Sequence, residues 1–379
     1  MARLLVVTND FPPGHGGIET YVHELVRRFD PDDVVVATSR RDGWEAWDAA
    51  QPYRVERISR YPMLPTRRVA RTVVDLANEH RCQAAWFGAA APLGLLAARL
   101  RTETDVRRIV STTHGHEVWW AMLPGFRQTL RRIGRRADHV TYITDYTRQR
   151  LARALPEDRL TRLSPGVTPE AFADVPDDAV ADLRARWDLG VDPVVVSVSR
   201  LVARKGHDTL IAAWPQVLRH HPRARLVIGG RGPYAKRLRQ LVAQHDVAAS
   251  VTLAGFVPDD DLAALYRAAG VFAMPARSRR AGLEVEGLGI VYLEAAAAGL
   301  PVITGTSGGA PEAVRPDETG YVVDGTDATA VAWQIVNLLD DPARAAAMGQ
   351  AGRTWIADQW TWDTRHRTLA TLLGLVRHV

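Results

Sequence analysis

Short apolar runs that alternate with amphipathic helical segments constrain this chain more than any other feature. The run RLLVV near the N-terminus ends at the turn residues PPGHGG, and IETYVHELVRRF then follows with helical periodicity. The same succession recurs at DVVVATS, QAAWFG, RRIVSTTHG and HVTYITD. Strands that alternate with helices at this spacing form right-handed βαβ units and therefore a parallel sheet.

A second series of the same kind occupies the C-terminal half of the chain. Its six apolar runs are PVVVSVSR, ARLVIGG, SVTLAGF, VFAMPA, LPVITG and GYVVD. The segment SPGVTPEAFADVPDDA between the two series is rich in Pro, Asp and Gly, which predicts an interdomain linker. Because 379 residues are ample for two domains, we predict an α/β protein of two doubly wound domains.

Composition indicates a cytoplasmic protein with anionic partners. A single cysteine, Cys82, excludes an internal disulfide and fits a reducing compartment. No apolar run approaches the ~18 residues that span a bilayer, and the N-terminal run is too short for a signal peptide. The net charge of +5 favours nucleotide phosphates or an anionic lipid surface. We expect no nucleic-acid partner, since no nucleic-acid-binding signature accompanies this charge.

Ligands of doubly wound domains bind where strands end, so the strand-to-helix loops are the candidate sites. In the first such loop, Gly14, Gly16 and Gly17 would let a phosphate or sugar approach the start of a helix. An ordinary tight turn is the alternative interpretation of these glycines.

Two histidines follow a later strand of the first series. His114 comes first after that strand and would orient a hydroxyl group through a neutral ring nitrogen, whereas His116 suits a structural role. With Glu117 they also resemble part of a metal site, but no complementary cluster exists elsewhere, and we expect no metal.

Arg200 and Lys205 flank a turn that opens a helix in the second series. Two cations at a helix start suit a diphosphate, because the guanidinium binds bidentately and the ammonium adds a point charge. Lys205 is one of only two lysines in an arginine-rich chain, which strengthens this interpretation. A solvated basic loop is the alternative.

Acidic residues occur at two further places in the second series. Glu286 and Glu294 lie on either side of the apolar run GLGIVYL, in a segment that otherwise has the pattern of a buried one. Asp259–Asp261 precede a helical segment, and we interpret them as an N-cap with acids in the first turn rather than as a metal site.

A basic amphipathic segment in the first domain predicts contact with a membrane surface. Arg127 and Arg131 belong to a run of arginines that alternates with Phe126 and Leu130. An ordinary surface helix is the alternative. We also expect a second group of arginines and one histidine to contact the acceptor or the membrane. They are Arg67, Arg68, Arg71 and His116.

Three of these segments together resemble the family 4 retaining glycosyltransferases. They are the E-x7-E pair from Glu286 to Glu294, the run SRLVARKG, and the loop at Gly16 and Gly17. The resemblance covers nearly the whole chain. It implies a GT-B architecture, with Rossmann-like domains at residues 1–168 and 169–359 facing across a cleft, and a helix at about 360–379 that returns to the first domain.

Within that family, VVTNDFPPGHGGIETY, THGHEVWWAMLPG and the run from Met274 to Val314 look most like an actinobacterial subfamily. Its members add an α-1,6 mannose from GDP-mannose to phosphatidylinositol monomannoside. The resemblance implies a GDP-mannose donor, an anionic phospholipid acceptor, no cofactor or metal, and a peripheral position on the inner face of the plasma membrane.

Arg279–Ala281 stands where the subfamily is glycine-rich, so we expect a stiffer loop and a less certain acceptor. The alternatives are a family 4 enzyme with another donor or acceptor, and a non-catalytic sugar-nucleotide-binding protein. The oligomeric state is unknown.

The resemblance also implies roles for individual residues. Arg200 and Lys205 would bind the diphosphate, Glu286 the donor sugar and Glu294 the ribose, while His114 would support the sugar near the reacting carbon. The residues expected to act in catalysis are His114, Arg200, Lys205 and Glu286. The residues expected to bind the donor are Gly16, Gly17, Arg200, Lys205, Val257 by the base, Glu286, Gly289, Ile290, Val291 and Glu294. Since no carboxylate nucleophile is identifiable, we expect front-face attack on the anomeric carbon.

Overall fold

The chain forms two compact units, each built on its own parallel sheet. The structure, a computed structural model, describes residues 3–375. One unit runs from the N-terminus through Gly166 and takes in the segment that begins at Trp362, and the other unit is Val167–Thr361. The expected boundaries after residues 168 and 359 fall beside these two points.

The first unit has a seven-stranded sheet in the order β3-β2-β1-β4-β5-β6-β7, in which every neighbouring pair is parallel. Its strands are β1 (Arg3–Val7), β2 (Val34–Arg40), β3 (Arg54–Arg60), β4 (Cys82–Phe87), β5 (Arg108–Thr112), β6 (His139–Tyr142) and β7 (Leu160–Arg162). Its connecting helices are α1 (Gly17–Val26), α2 (Trp44–Ala49), α3 (Arg67–Glu79), α4 (Ala97–Glu103), α5 (Glu117–Met122), α6 (Pro124–Arg136) and α7 (Asp145–Leu151).

The central strand β1 is apolar without interruption because both faces of this sheet are covered. Successive side chains of a strand point to opposite faces. Leu5 and Val7 accordingly join the core formed with α3 and α4, whereas Leu4 and Val6 join the core formed with α1. All four side chains are fully buried, which explains why the sequence shows a continuous apolar run here rather than an alternating one.

The sequence analysis missed two strands of the first unit, β3 and β7. Both are at the edges of the sheet, where one side of the strand has no neighbour. β3 has the sequence RVERISR and contains a single fully buried position, and β7 has three residues, none of them buried. Neither strand carries an apolar run, so the pattern that revealed the central strands was absent.

The second unit has a six-stranded parallel sheet in the order β10-β9-β8-β11-β12-β13. Its strands, all six of which match the predicted runs, are β8 (Val194–Val198), β9 (Arg225–Gly229), β10 (Val251–Gly255), β11 (Val271–Met274), β12 (Val302–Gly305) and β13 (Gly320–Val323). Its helices are α8 (Glu170–Ala173), α9 (Asp177–Arg186), α10 (His207–His220), α11 (Ala235–Gln244), α12 (Asp259–Ala268), α13 (Ile290–Ala297), α14 (Ala328–Asp340) and α15 (Pro342–Gln359).

From Val167 onwards, the segment predicted as a linker is part of the second unit rather than a free connection. Residues 164–180 contain α8 and the start of α9, and α9 packs against α12. The last helix, α16 (Trp362–Leu373), belongs to the first unit instead. Its Trp362, Leu369 and Leu373 join the core that contains Tyr21 of α1.

In each sheet the strand order reverses direction at one place, which is where doubly wound folds bind ligands. In the first unit the reversal lies between β1 and β4, and in the second unit it lies between β8 and β11. The loops that follow these four strands are therefore the candidate binding loops. Over residues 3–375, no helix combines the length and apolar composition needed to cross a bilayer.

Candidate active site

The loop after β8 places Lys205 against the end of β11. Residues Ala203–Lys205 form a 3₁₀ turn, and Gly206, the N-cap of α10, has a φ of +78°. A Cβ atom at Gly206 would lie 1.9 Å from the carbonyl oxygen of Pro275, so only glycine allows this close approach. The backbone at Arg204 is tied to the same segment, because the Arg277 amide donates a hydrogen bond to the Arg204 carbonyl at 2.8 Å.

Glu286 lies at the centre of the candidate site in the second unit. Its side chain is buried, Lys205 Nζ lies 2.8 Å from its Oε2, and Arg204 Nη1 donates to the same oxygen. The Glu286 amide donates to Ser307 Oγ at 3.0 Å, and the Gly309 amide donates to the Glu286 carbonyl at 3.0 Å. The glycine loop after β12 therefore holds the glutamate in place.

The electrostatic balance of this cluster leaves Glu286 ionised. Burial alone would raise the pKa of Glu286, but Lys205 and Arg204 outweigh burial, and the pKa is lowered from its ordinary value. Two cations thus face one buried carboxylate. The cluster carries an excess positive charge in a buried setting, which suits an anionic ligand.

Arg204 is a site residue that the sequence analysis missed. It stands directly before Lys205, yet in a chain with many arginines it had no distinguishing signal of its own. Arg200, which was expected beside Lys205, is exposed at the end of β8, and no described residue forms an ion pair with its guanidinium. Its donors are therefore free for a ligand.

The helix that follows Glu286 presents an open N-terminus. α13 begins at Ile290, and its N-cap Gly289 has a φ of +90° with no side-chain cap from any described residue. Gly289, Ile290 and Val291 are all partly exposed. Their amide groups can therefore meet an anion, as helix N-termini commonly do.

Glu294 occupies a separate environment further along α13. Tyr266 donates its hydroxyl to Glu294 Oε2 at 3.2 Å. Burial raises the pKa of Glu294 to about 7, and the bond from Tyr266 opposes this rise only in part. Glu286 and Glu294 have different partners, so the two glutamates do not form a carboxylate pair. Val257, which was expected to lie beside the nucleotide base, is buried in the loop that follows β10.

In the first unit, the predicted glycine loop forms the start of a helix. Gly16 is the N-cap of α1, which begins at Gly17, and no described side chain caps this end. A Cβ atom at Gly16 would lie 2.5 Å from Glu19 Oε2. The N-terminus of α1 is therefore a second open helix end, as the sequence analysis expected for this loop.

The structure distinguishes the two histidines that follow β5. His114 Nε2 lies 2.6 Å from the carbonyl oxygen of Gly88, and burial lowers the pKa of His114 to about 4. At neutral pH its ring is therefore uncharged, with Nε2–H donating to Gly88 and Nδ1 left as an acceptor. His116 is exposed and lies 3.3 Å from Glu117 Oε1. The two rings thus have different environments.

The arginines expected to face a membrane divide into two kinds. Arg67, Arg68 and Arg71 are exposed on the first turns of α3. Arg127 instead donates to the carbonyls of residues 121 and 122 at the end of α5, and Arg131 donates weakly to the Arg153 carbonyl at 3.4 Å. Arg67, Arg68 and Arg71 form no ion pair with any described residue, and the same holds for the exposed arginines at 131, 132, 135 and 136 on α6.

The aspartates before α12 do not form the N-cap that was predicted. The N-cap is Pro258, which has no side-chain acceptor, and Asp259–Asp261 occupy the first turn. They interact with the helix dipole, and Asp261 pairs with Arg186 at 2.6 Å. In the described part of the chain, no group of three or more His, Cys, Asp or Glu side chains has the arrangement of a metal site.

The loop that departs from a glycine-rich pattern adopts a conformation typical of glycine. Arg280 and Ala281 both have a φ of +51°. Arg279 and Arg280 pair with Glu284 at 3.3 and 3.2 Å, which closes the loop. The loop is therefore held by ion pairs at the expense of backbone strain.

Two family models match the chain, one over most of the N-terminal half and the other over most of the second unit. The model described as Glycosyltransferase Family 4 matches residues 15–171, and that described as Glycosyl transferases group 1 matches residues 182–355.

Solved structures share the fold at low sequence identity. The Anabaena protein HepE in complex with UDP and glucose has a TM-score of 0.82 at 18% identity, over 99% of this chain and 100% of the other. Sucrose-phosphate synthase from Thermosynechococcus elongatus has a TM-score of 0.79 at 23% identity, over 98% of both chains. Together with the family models, this fold defines the protein as a glycosyltransferase of the GT-B class.

Relatives that align over almost the whole chain identify the family more closely. The GDP-mannose-dependent α-(1-6)-phosphatidylinositol monomannoside mannosyltransferases of Mycolicibacterium smegmatis and Mycobacterium tuberculosis are 50% and 49% identical to this chain, over 98% of each chain. The corresponding enzyme of Corynebacterium glutamicum, named for a monoacylated acceptor, is 44% identical over 98% of this chain and 97% of its own. The protein belongs to the glycosyltransferase family that these enzymes represent.

Proposed function

We propose that this glycosyltransferase moves mannose from GDP-mannose to a phosphatidylinositol mannoside and forms an α-1,6 bond with retention of configuration. The named activity of relatives aligned over almost their whole length supports the donor and the acceptor. The structural observation with most weight is the buried cluster of Arg204, Lys205 and Glu286 beside the open end of α13. Cations and free amides in one buried place suit a nucleoside diphosphate.

In this proposal the second unit binds the donor along the loops after β8, β11 and β12. Arg200, Arg204 and Lys205 bind the diphosphate together with the amides at Gly289–Val291. Glu286 turns from its two cations to the sugar hydroxyls as the phosphates replace it. Glu294 accepts hydrogen bonds from the ribose hydroxyls.

The chemistry needs little proton transfer from the protein. The bond between the anomeric carbon and the β-phosphate oxygen breaks with oxocarbenium character, and the cations stabilise the charge that develops on the diphosphate. The acceptor hydroxyl attacks from the same face, and its proton passes to the departing phosphate oxygen. His114 is uncharged at neutral pH, because burial lowers its pKa to about 4. It therefore positions the sugar and does not donate a proton to it.

We further propose that the reaction needs no divalent metal. Three cationic side chains and a helix N-terminus can offset the charge of the diphosphate, a task that a metal ion performs in other enzymes. The support for this part of the proposal is the composition of the cluster around Glu286.

The proposed location is the cytoplasmic face of the plasma membrane, with the first unit against the lipid. The exposed arginines of α3 suit anionic headgroups, and the segment before that helix exposes Tyr61 and Leu64, each with about half of its surface accessible. Cations beside exposed apolar side chains are typical of a peripheral membrane contact.

An assay with purified protein, radiolabelled GDP-mannose and phosphatidylinositol monomannoside in detergent tests the transfer. We expect a product whose new linkage is α-1,6 by NMR, lower turnover with UDP-glucose, and unchanged turnover in EDTA. Turnover with a soluble sugar but not with the lipid would contradict the acceptor, and loss of activity in EDTA would contradict metal independence.

Sedimentation with vesicles tests the membrane contact separately. Vesicles that contain phosphatidylinositol should bind the wild-type protein, and the triple variant R67Q/R68Q/R71Q should bind several-fold less. The control is the triple variant R219Q/R239Q/R267Q. It loses the same three positive charges from exposed positions of the second unit. Equal loss of binding in both variants would contradict a specific role for α3.

A further inference from the structure

One arginine holds the turn that carries Arg204 and Lys205 at both of its ends. Arg277, in the loop after β11, donates its backbone amide to the Arg204 carbonyl at 2.8 Å. Its guanidinium reaches the first turn of α10, where Nη1 and Nη2 donate to the two carboxylate oxygens of Asp208 at 2.8 and 2.5 Å. Nη1 also donates to Thr209 Oγ1 at 2.8 Å. The chain from Arg204 to Asp208 is therefore fastened to Arg277 on either side of Lys205.

The middle of this segment is packed closely against the end of β11. Gly206 approaches Pro275 so closely that a Cβ atom at Gly206 would lie 1.9 Å from the Pro275 carbonyl oxygen. Lys205 is buried, and its Nζ lies 2.8 Å from Glu286 Oε2. A long side chain keeps its ammonium in one place only if its backbone is held, so the position of this cation depends on the contacts of the turn.

The pair of Arg277 and Asp208 is mostly buried and ionised. Only 16% and 18% of the two side chains are exposed. Burial alone would raise the pKa of Asp208 and lower the pKa of Arg277, but their mutual attraction outweighs burial, so the first pKa is lowered and the second is raised. A bidentate pair between a guanidinium and a carboxylate is both strong and directional. The pair can therefore fix a geometry as well as balance a charge.

The same network reaches the loops after two further strands. Tyr234, after β9, donates its hydroxyl to Asp208 Oδ2 at 3.0 Å. Thr209 donates its hydroxyl to the carbonyl of Gly325, after β13, at 2.8 Å. Arg277 is thus the centre of a set of contacts that joins the carboxyl ends of β8, β9, β11 and β13. Doubly wound domains bind their ligands at these ends of the strands.

We propose that Arg277 is a positioning residue, whose guanidinium fixes the turn after β8 so that Arg204 and Lys205 lie at the spacing that a nucleoside diphosphate requires. This inference rests on the proposed function. Because Asp208 and Thr209 occupy the guanidinium, Arg277 acts through the turn and does not bind the ligand. Loss of the guanidinium keeps the backbone bond to Arg204 but releases the other end of the segment, so the two cations become less well ordered.

Calorimetric titration with GDP tests the inference in the full-length protein. Arg277→Met should weaken GDP binding about tenfold, because the cations are no longer held in one arrangement. Arg277→Lys keeps the charge but not the planar fork, so its affinity should fall at least about fivefold. The control Arg225→Met breaks a similar pair with Asp192 at the opposite end of the sheet and should change the affinity less than about twofold. Wild-type affinity in either Arg277 variant would overturn the inference.

A comparison of GDP with GMP separates positioning from a general loosening of the unit. GMP lacks the second phosphate, so it depends less on the paired cations of the turn than GDP does. The ratio of the GDP affinity to the GMP affinity should fall at least about threefold in both Arg277 variants. Equal losses for the two nucleotides would show a merely structural role and refute the inference. If circular dichroism shows that Arg277→Met does not fold, Arg277→Lys carries the test.

A double-mutant cycle tests whether Arg277 acts through the turn. Arg204→Gln alone removes one of the cations and should weaken GDP binding about tenfold. If Arg277 acts by placing that cation, the double variant with Arg277→Met should lose much less affinity than the product of the two single losses. Losses that multiply would show that Arg277 acts independently of Arg204, contrary to the inference.

The inference and the proposed function fail in distinguishable ways. A wild-type protein that binds GDP but transfers no mannose to the lipid contradicts the function, whereas the Arg277 variants still test the inference, since nucleotide binding is their readout. If the wild type binds UDP or ADP instead of GDP, the donor is contradicted, and the same variants are measured with that diphosphate and its monophosphate. A wild type that binds none of the three diphosphates overturns the inference as well.

Discussion

Lys205 Nζ lies 2.8 Å from Glu286 Oε2, and both side chains are buried in the second unit. In the proposed function the diphosphate takes the place of this carboxylate beside Lys205 and Arg204. Glu286 would then leave its two cations and bind the sugar. On that proposal the pair links diphosphate binding to sugar binding through one side chain.

The first prediction concerns the charge of Glu286. Glu286→Gln should bind GDP about tenfold more tightly, because the variant removes a negative charge next to the diphosphate. Its turnover with GDP-mannose should fall about a hundredfold, since the sugar loses a charged partner. Calorimetry and steady-state assays measure the two effects. Glu170→Gln removes the same charge from an exposed position of the second unit and is the control. Weaker GDP binding by Glu286→Gln would contradict the competition.

The second prediction concerns the stability of the buried pair. Lys205→Met should lower the free energy of unfolding by about 2–3 kcal/mol at pH 7.5, because Glu286 then keeps only Arg204 as a partner. The double variant with Glu286→Gln should recover most of this loss, which a double-mutant cycle in urea would show. Lys236→Met, at the only other lysine, should change little since Lys236 is exposed. If the free-energy losses of the two single variants simply add in the double variant, Lys205 and Glu286 are not coupled.

The third prediction concerns pH and Glu294. Because burial raises the pKa of Glu294 to about 7, a proton competes with the ribose hydroxyls for this carboxylate below that pH. The affinity for GDP-mannose should therefore increase up to about tenfold between pH 6 and pH 8. Calorimetry at several pH values measures this. Glu294→Gln should abolish the dependence, and Tyr266→Phe should move its midpoint upward by removing the bond that lowers the pKa. A pH-independent wild type would rule this role out.

The fourth prediction concerns the strained loop at Ala281. Ala281→Gly should raise the free energy of unfolding by about 1 kcal/mol, because glycine adopts a φ of +51° without the Cβ clash that alanine suffers. Ala181→Gly, at an exposed position inside α9, should have the opposite effect of about 1 kcal/mol. Urea unfolding compares the two variants. Destabilisation by Ala281→Gly would show that the loop is not strained.

The parts of the fold that could be predicted are those whose physics is local. The apolar runs of β1 and β8 are continuous because both faces of their sheets are buried, and the sequence shows this directly. β3 and β7 were missed because an edge strand needs no continuous apolar run. Asp259–Asp261 were placed correctly in a first turn but wrongly as the N-cap, since Pro258 holds the cap position without an acceptor.

The residues of the candidate site can be divided in the same way, into those that local sequence patterns indicate and those that only the fold brings together. The sequence by itself determined which loops follow the central strands. Residue types, turn patterns and the family resemblance together marked Lys205, Glu286 and the glycines that open α1 and α13. Only the tertiary structure decided that Arg204 and Glu286, 82 residues apart, meet as an ion pair. Periodicity and turn chemistry are properties of neighbouring residues, whereas desolvation and ion pairing depend on which distant segments the fold brings together.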